Sequence, residues 1–184
     1  MYKRQGYNIG AMLKVLFNSD FFKNARFEKV KSPTEVVIGT MRLVRDFTEP
    51  KLGLHPLANT IRYMGQDLMN PPTVEGWHTG KEWIDSGTLV ERINFAADQL
   101  GNIGLPGVKD IVSRIESEQI TNPEGLVDRC LEMVGSYQLA DETRGQLVEH
   151  AGKGGSVTPG TQEYSQCISE VLQLIVATQE YQFA

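Results

Sequence analysis

Five side chains that could bind a ligand or move a proton lie within a short stretch of this sequence: Trp77, His78, Lys81, Trp83 and Arg92. Indole rings offer broad apolar faces that stack on a sugar ring, a base or a partner side chain. A histidine can serve as a general acid or base near neutral pH, and the two cationic side chains can hold an anionic group. One interpretation is therefore a pocket for a small ligand, in an enzyme or a ligand-binding fragment.

The same residue types also fit a purely architectural role. The two tryptophans can close the end of a helical bundle, while the prolines Pro71 and Pro72 stiffen the segment that carries them. In that arrangement Arg92 hydrogen-bonds to carbonyl groups of the loop. Packing alone accounts for these residues, so we favour the architectural interpretation and keep the ligand pocket as the alternative.

The other candidate motifs for chemistry are incomplete. The three histidines, His55, His78 and His150, lie far apart, with neither an HExxH pattern nor a cysteine pair at zinc spacing. The glycine-rich segment 152–156 lacks both the spacing and the preceding strand of a phosphate-binding loop. No nucleophile elbow and no histidine-paired cysteine are present. We therefore predict no catalytic residue, no metal site and no cofactor.

Composition and charge narrow the classes of partner. The chain has 184 residues, 40% hydrophobic and 22% charged, which fits one soluble domain with its own core. Its net charge of −5 argues against nucleic-acid binding, which needs a basic face. No apolar run approaches the ~20 residues of a membrane helix, and the opening residues do not form a signal peptide. Cys130 and Cys167 are expected more often as small buried hydrophobes than as a disulfide.

Helical periodicity runs along nearly the whole chain. Ser32 followed by Pro33 and Glu35 predicts a capping box at a helix start. Asn122-Pro123 predicts another start, and Pro56 and Ser86 are expected to begin two more. Further apolar stripes comprise Ile9 to Leu16, Leu57 to Leu68, Val108 to Ile115 and Tyr164 to Ile175. We predict an all-α, irregular multi-helix bundle of about eight helices.

The segment from Gln66 to Phe95 interrupts this pattern. Asn70-Pro71-Pro72 cannot continue a helix, so a long loop rich in proline, glycine and tryptophan is expected to cross the helix ends. We predict one all-helical domain over residues 1–184, with a sub-boundary near 101–107 and a flexible linker at 152–160.

The chain resembles, over most of residues 9–100 and the last helix, the C-terminal part of a bacterial family known as domain of unknown function 1800, and the likeness is most pronounced in this segment. The residues that carry the resemblance are Ser32-Pro33, Glu35, Arg42, Met64-Gly65-Gln66, Asn70-Pro71-Pro72, Val74, Gly76-Trp77, Gly80, Trp83-Ile84, Arg92 and Asn94-Phe95. Family members are usually longer than this chain, so the resemblance implies a fragment, a shortened member or half of a split protein. Relatives often carry export signals, and the family has no agreed activity.

The leading hypothesis for function is a non-enzymatic structural or protein-interaction module. It implies a protein partner or a homo-oligomer. The apolar helix near the C-terminus, which ends with Tyr181 and Phe183, is one surface that could dock on a partner, although such stripes usually form a core.

Overall fold

The computed structural model describes residue 6 and residues 8–25, 27–49, 52–135, 137–153 and 158–183. Within those ranges the chain forms nine α-helices and two short 3₁₀ helices, without an extended strand. The α-helices are α1 (Ile9–Asn18), α2 (Asp20–Asn24), α3 (Pro33–Val44), α4 (Leu54–Tyr63), α5 (Ser86–Gly101), α6 (Pro106–Ser117), α7 (Pro123–Val134), α8 (Asp141–Lys153) and α9 (Gln162–Ala177). The 3₁₀ helices are Gly80–Trp83 and Glu180–Gln182. The predicted all-α class is confirmed.

Helix α9 lies at the centre of the molecule. It packs against α5, α6, α7 and α8, and α5 in turn packs against α3. Apolar side chains at helical spacing on α9, including Ile168, Leu172 and Ile175, are fully buried. The stripe near the C-terminus is therefore core, and Tyr181 beyond it is also buried.

Helix caps explain several of the boundaries. The capping box before α3 is confirmed, because Ser32 Oγ accepts from the Glu35 amide at 3.3 Å and Glu35 Oε2 accepts from the Ser32 amide at 2.7 Å. The prediction that Ser86 caps α5 is wrong. Asp85 takes that position, since its carboxylate accepts from the amides of Gly87 and Thr88 at 2.9 and 2.8 Å.

Three other expectations need correction. Helix α4 begins at Leu54, so Pro56 lies within its first turn, where a missing N–H does no harm. The helix ends at Tyr63, and Leu68, expected on its core face, is 41% exposed. Helix α8 extends to Lys153, and the rest of the predicted linker includes residues 154–157, which lie outside the described residues.

A close contact between α3 and α6 fixes one further position. A Cβ atom on Gly107 would lie 2.1 Å from the carbonyl oxygen of Leu43 and 2.7 Å from the carbonyl carbon of Val44. Backbone atoms cannot move aside as a flexible side chain can, so the two helices approach this closely only with glycine at position 107.

Cys130 is fully buried in α7 and Cys167 is half-buried in α9, and both are free thiols. Burial raises the pKa of the Cys130 thiol to about 12, with a smaller contribution from Cys167. Cys130 thus behaves as a small apolar core residue.

Candidate functional site

The loop between α4 and α5 forms one wall of a surface groove with a volume of about 680 Å³. The groove is lined by residues from two parts of the chain, among them Val30, Glu35, Leu68, Trp77, His78 and Trp83. Its walls are largely apolar, and the side chains of Glu28, Lys29, Glu35 and His78 also line it, with Lys29 paired to Glu35. Three of the five predicted site residues thus lie side by side.

Two glycines give the loop its shape. Gly76 and Gly80 adopt φ values of +106° and +63°, in the left-handed region that favours glycine. Gly76 also closes a tight turn, because its amide donates to the Thr73 carbonyl at 3.1 Å. The turn presents Trp77 and His78 to the groove, and the following 3₁₀ helix directs Trp83 inward.

The two tryptophans differ in burial. Trp83 is only 6% exposed, whereas Trp77 is half-buried and its indole Nε1 donates to the Asp67 carbonyl at 3.0 Å. Trp83 is therefore a packing element of the kind expected from the architectural interpretation. Trp77 keeps part of its ring accessible in the groove.

His78 is exposed, and its Nδ1 lies 2.6 Å from Oε2 of Glu82. This contact orients the imidazole at the rim of the groove. A histidine oriented by a carboxylate can exchange a proton with a bound ligand.

Lys81 and Arg92 lie elsewhere. Lys81 is exposed and lines a neighbouring cleft of about 570 Å³, together with Tyr137 and Phe183. Arg92 is fully buried. Its Nη2 donates to the Lys31 carbonyl at 2.7 Å, and its Nε donates to Oε1 of Gln182 at 3.0 Å. Arg92 thus hydrogen-bonds to a backbone carbonyl, but this carbonyl belongs to the segment before α3, whereas the architectural interpretation expects one from the loop.

The residues around Arg92 were missed by the sequence analysis. The Lys31 ammonium donates to the Tyr181 carbonyl at 2.6 Å and to Tyr137 Oη at 2.9 Å, and it lies 4.1 Å from the centre of the Tyr181 ring. Burial, followed by the charge of Arg92, lowers the pKa of Lys31 to about 8, against an opposing effect of Glu35. Burial also lowers the pKa of Arg92 to about 10. In the sequence, a lysine next to a helix cap looks like an ordinary surface lysine, so neither its burial nor its contacts with the two tyrosines could be predicted.

The arm is defined here as α1 and α2 with Ser19 between them. The apolar stripe from Ile9 to Leu16 predicted the first of these helices, but not that its apolar side chains are exposed. Neither helix contains a buried residue. The rings of Phe17 and Phe22 meet edge to face, with centroids 5.0 Å apart, and so join the two helices.

Two features are absent from the described ranges. No cluster of three or more histidine, cysteine, aspartate or glutamate side chains suited to a metal ion occurs there. No helix in those ranges is long and apolar enough to cross a membrane.

The fold and the groove define an all-α protein with a loop rich in proline, glycine and tryptophan. The chain matches the model of the family described as protein of unknown function (DUF1800) over residues 1–183, and it belongs to that family. Neither the curated proteins nor the solved structures contain a match. The resemblance to this family that the sequence indicated is confirmed.

Proposed function

We propose that this chain is a non-enzymatic protein-interaction module that docks through its arm. One observation carries the proposal: eight large apolar side chains of the arm are each between 38% and 69% exposed. They are Ile9, Met12, Leu13, Val15, Leu16, Phe17, Phe21 and Phe22.

The exposed area is large for a surface without a partner. If each of the eight side chains, three aromatic and five aliphatic, is given the roughly 150–250 Å² of a large side chain, together they expose roughly 600–1,000 Å², comparable to what a stable interface buries on each partner. Exposed apolar surface of this extent is typical of interaction sites, because removing it from water is favourable by about 25 cal/mol per Å². Covering the arm with another polypeptide is the simplest way to gain that energy.

The proposal is tested by comparing three forms of the chain purified under native conditions. The molar mass of wild type, measured by light scattering, should exceed that of the single chain, because the chain is bound to another polypeptide, either a second copy or a different protein. Phe21→Asp should lose that assembly, and its fold should persist because position 21 is 69% exposed. Leu52→Asp, a control at a position 99% exposed outside the arm, should retain it. Identical behaviour of all three forms would overturn the proposal.

Small-ligand binding in the groove is a second candidate function. The observation that favours it is the accessible part of Trp77 beside the oriented His78, in a groove of a size suited to small molecules. Titration with monosaccharides and nucleosides should then quench tryptophan fluorescence in wild type and not in Trp77→Phe. An unchanged spectrum with every compound would exclude these ligand classes.

A further inference from the structure

One amide side chain in the groove has a fixed orientation. Gln66 Oε1 accepts from the backbone amide and from the hydroxyl of Thr34, at 3.0 and 2.7 Å. A backbone amide can only donate, so the oxygen of the Gln66 side chain faces Thr34 and its NH₂ group faces away. That NH₂ group makes no hydrogen bond to the residues that the structure describes, and it is not buried. Because Gln66 lines the groove, two oriented N–H donors are available to a ligand there.

Trp77 provides one fixed apolar surface in the same groove. Its Nε1 donates to the Asp67 carbonyl at 3.0 Å, and its half-buried ring leaves part of the indole accessible. A ring that is already held in place loses little freedom when a ligand binds. Trp83 is only 6% exposed and offers almost no ring surface. The groove therefore suits a ligand that stacks on a single aromatic ring.

Other polar groups beside this ring can both donate and accept. An ionised Glu82 carboxylate can only accept, so Nδ1 of His78 carries the hydrogen of their contact, and Nε2 of the neutral imidazole accepts. The hydroxyl groups of Ser32 and Thr79 also line the groove, and a hydroxyl serves as donor and acceptor. This mixture matches a ligand whose own polar groups both donate and accept.

Charge narrows the class of ligand. Lys29 is the only lysine or arginine among the described residues that line the groove, and its ammonium is paired with the Glu35 carboxylate. His78 faces Glu82 in the same way. A phosphate or carboxylate would thus find no unpaired cation there. Glu28 is a single exposed carboxylate, which contributes little to the binding of a cation in water. An uncharged ligand fits these surroundings best.

Resting on the second candidate function, we infer that the groove binds an uncharged sugar ring, which stacks on Trp77 and hydrogen-bonds to the NH₂ group of Gln66. A pyranose has a face of C–H groups that packs on an indole, and a rim of hydroxyl groups that donate and accept. A nucleoside base has two flat faces, and the burial of Trp83 leaves one of them uncovered.

NMR spectra of the ¹⁵N-labelled chain test this inference, because two tryptophans give two indole N–H signals. The probes are methyl β-glucopyranoside, methyl β-galactopyranoside and methyl α-mannopyranoside. They are added to about 20 mM, since one ring with few contacts is expected to bind with a Kd of about 1 mM. At least one probe should shift the Trp77 signal and a side-chain NH₂ signal in a saturable manner, while the Trp83 signal stays in place. Trp77→Phe identifies the Trp77 signal by its loss.

Two variants separate stacking from hydrogen bonding. Trp77→Ala should raise the Kd for the probe at least about tenfold, because the stacking surface is lost. Gln66→Leu should raise it about three- to tenfold, as for the loss of a hydrogen bond between uncharged groups. Gln162→Leu, the same change at an exposed position of α9 outside the groove, should leave the Kd unchanged. If Gln66→Leu does not fold, the wild-type spectra and Trp77→Ala still decide the outcome.

Other outcomes separate this inference from the candidate function on which it rests. A Trp77 signal that responds to adenosine or uridine and to no sugar would overturn the inference and leave the groove as a small-ligand site. Tighter binding of glucose 6-phosphate than of glucose would also overturn it, because the ligand would then be an anion. An equal Kd for wild type and Gln66→Leu would refute the role of Gln66. A Trp77 signal that no sugar and no nucleoside shifts would overturn both the inference and the second candidate function.

Discussion

The side chain of Arg92 donates through Nε to Oε1 of Gln182 at 3.0 Å, across ninety positions of sequence. A second guanidinium nitrogen donates to the Lys31 carbonyl, and the Lys31 amide donates to the Gln182 carbonyl at 2.9 Å. These contacts form a closed ring that ties α5 to the segment before α3 and to the segment after α9. The buried Nη1 of Arg92 has no hydrogen-bond partner among the residues that the structure describes.

Arg92→Ala should lower the free energy of unfolding by about 3 kcal/mol or more, since it removes two charge-assisted hydrogen bonds and leaves buried acceptors unpaired. Arg92→Met should lower it less, because the apolar side chain fills the volume and no buried charge remains to be desolvated. Urea denaturation provides the measurement. Arg42→Ala, at an exposed position of α3, should change stability by no more than about 0.5 kcal/mol. A loss below about 1 kcal/mol for Arg92→Ala would show that the ring contributes little.

The two tryptophans should respond differently to truncation. Trp83→Ala should cost about 3–5 kcal/mol, because a nearly buried ring leaves a cavity. Trp77→Ala should cost about 1–2 kcal/mol, since its ring is half-buried and one hydrogen bond to Asp67 is lost. Thermal unfolding followed by circular dichroism measures both. Equal losses, or a larger loss at Trp77, would contradict the assignment of Trp83 as the packing element.

Gly107→Ala should destabilise the protein by about 1–3 kcal/mol, because the added Cβ would overlap the backbone of α3 and force α3 and α6 apart. Gly39→Ala is the matched control. Position 39 lies within α3, and a Cβ there meets no atom within 4 Å, so the substitution should stabilise by about 0.5–1 kcal/mol through helix propensity. The denaturation midpoints should move in opposite directions. A neutral Gly107→Ala would refute the close helix contact.

Stability should depend on pH through Lys31. Burial lowers its pKa in the folded state from 10.5 to about 8. Between these two values the unfolded chain binds a proton that the folded chain has released, so the contribution of Lys31 to stability rises with pH in this window. Wild type should therefore gain stability relative to Lys31→Met from about pH 8 to 10.5.

Other buried groups also make stability depend on pH, and the comparison of wild type with Lys31→Met removes most of their contribution. Burial raises the pKa of Cys130, of Tyr137 and of Tyr164 to about 12, so the unfolded chain loses these protons first and both forms lose stability above about pH 9. Lys109→Met, at an exposed position, should keep the wild-type dependence on pH. A difference between wild type and Lys31→Met that does not vary with pH would show that Lys31 titrates normally.

The sequence predicted local features and missed distant ones, for a physical reason. The capping box at Ser32 and the helix start at Pro123 depend on residues within one turn, and both are confirmed. The ring of Arg92, Lys31 and Gln182 joins three separate segments, and periodicity contains no information about which segments meet. The sequence placed the cap of α5 one residue too late because Asp85 and Ser86 are both good caps, and only the structure shows that the Asp85 carboxylate accepts from the amides of Gly87 and Thr88.

The candidate site was predicted only in part for a related reason. Trp77, His78 and Trp83 share a tight loop, so proximity in sequence becomes proximity in space. Arg92 lies on a helix that turns it toward the core, and Lys81 faces a different cleft. An apolar stripe on α1 predicts one face of a helix, but it does not reveal whether that face is covered.

Photo-crosslinking from the arm tests the central claim most directly. A benzophenone amino acid in place of Phe21, introduced in living cells, should form a covalent adduct with another polypeptide, while the same probe in place of Leu52 should form none. That result would show that the arm is a docking surface. The opposite result is a chain with the probe at position 21 that keeps the mass of a single polypeptide after irradiation, as the chain with the probe at position 52 does. That result would contradict the proposed function.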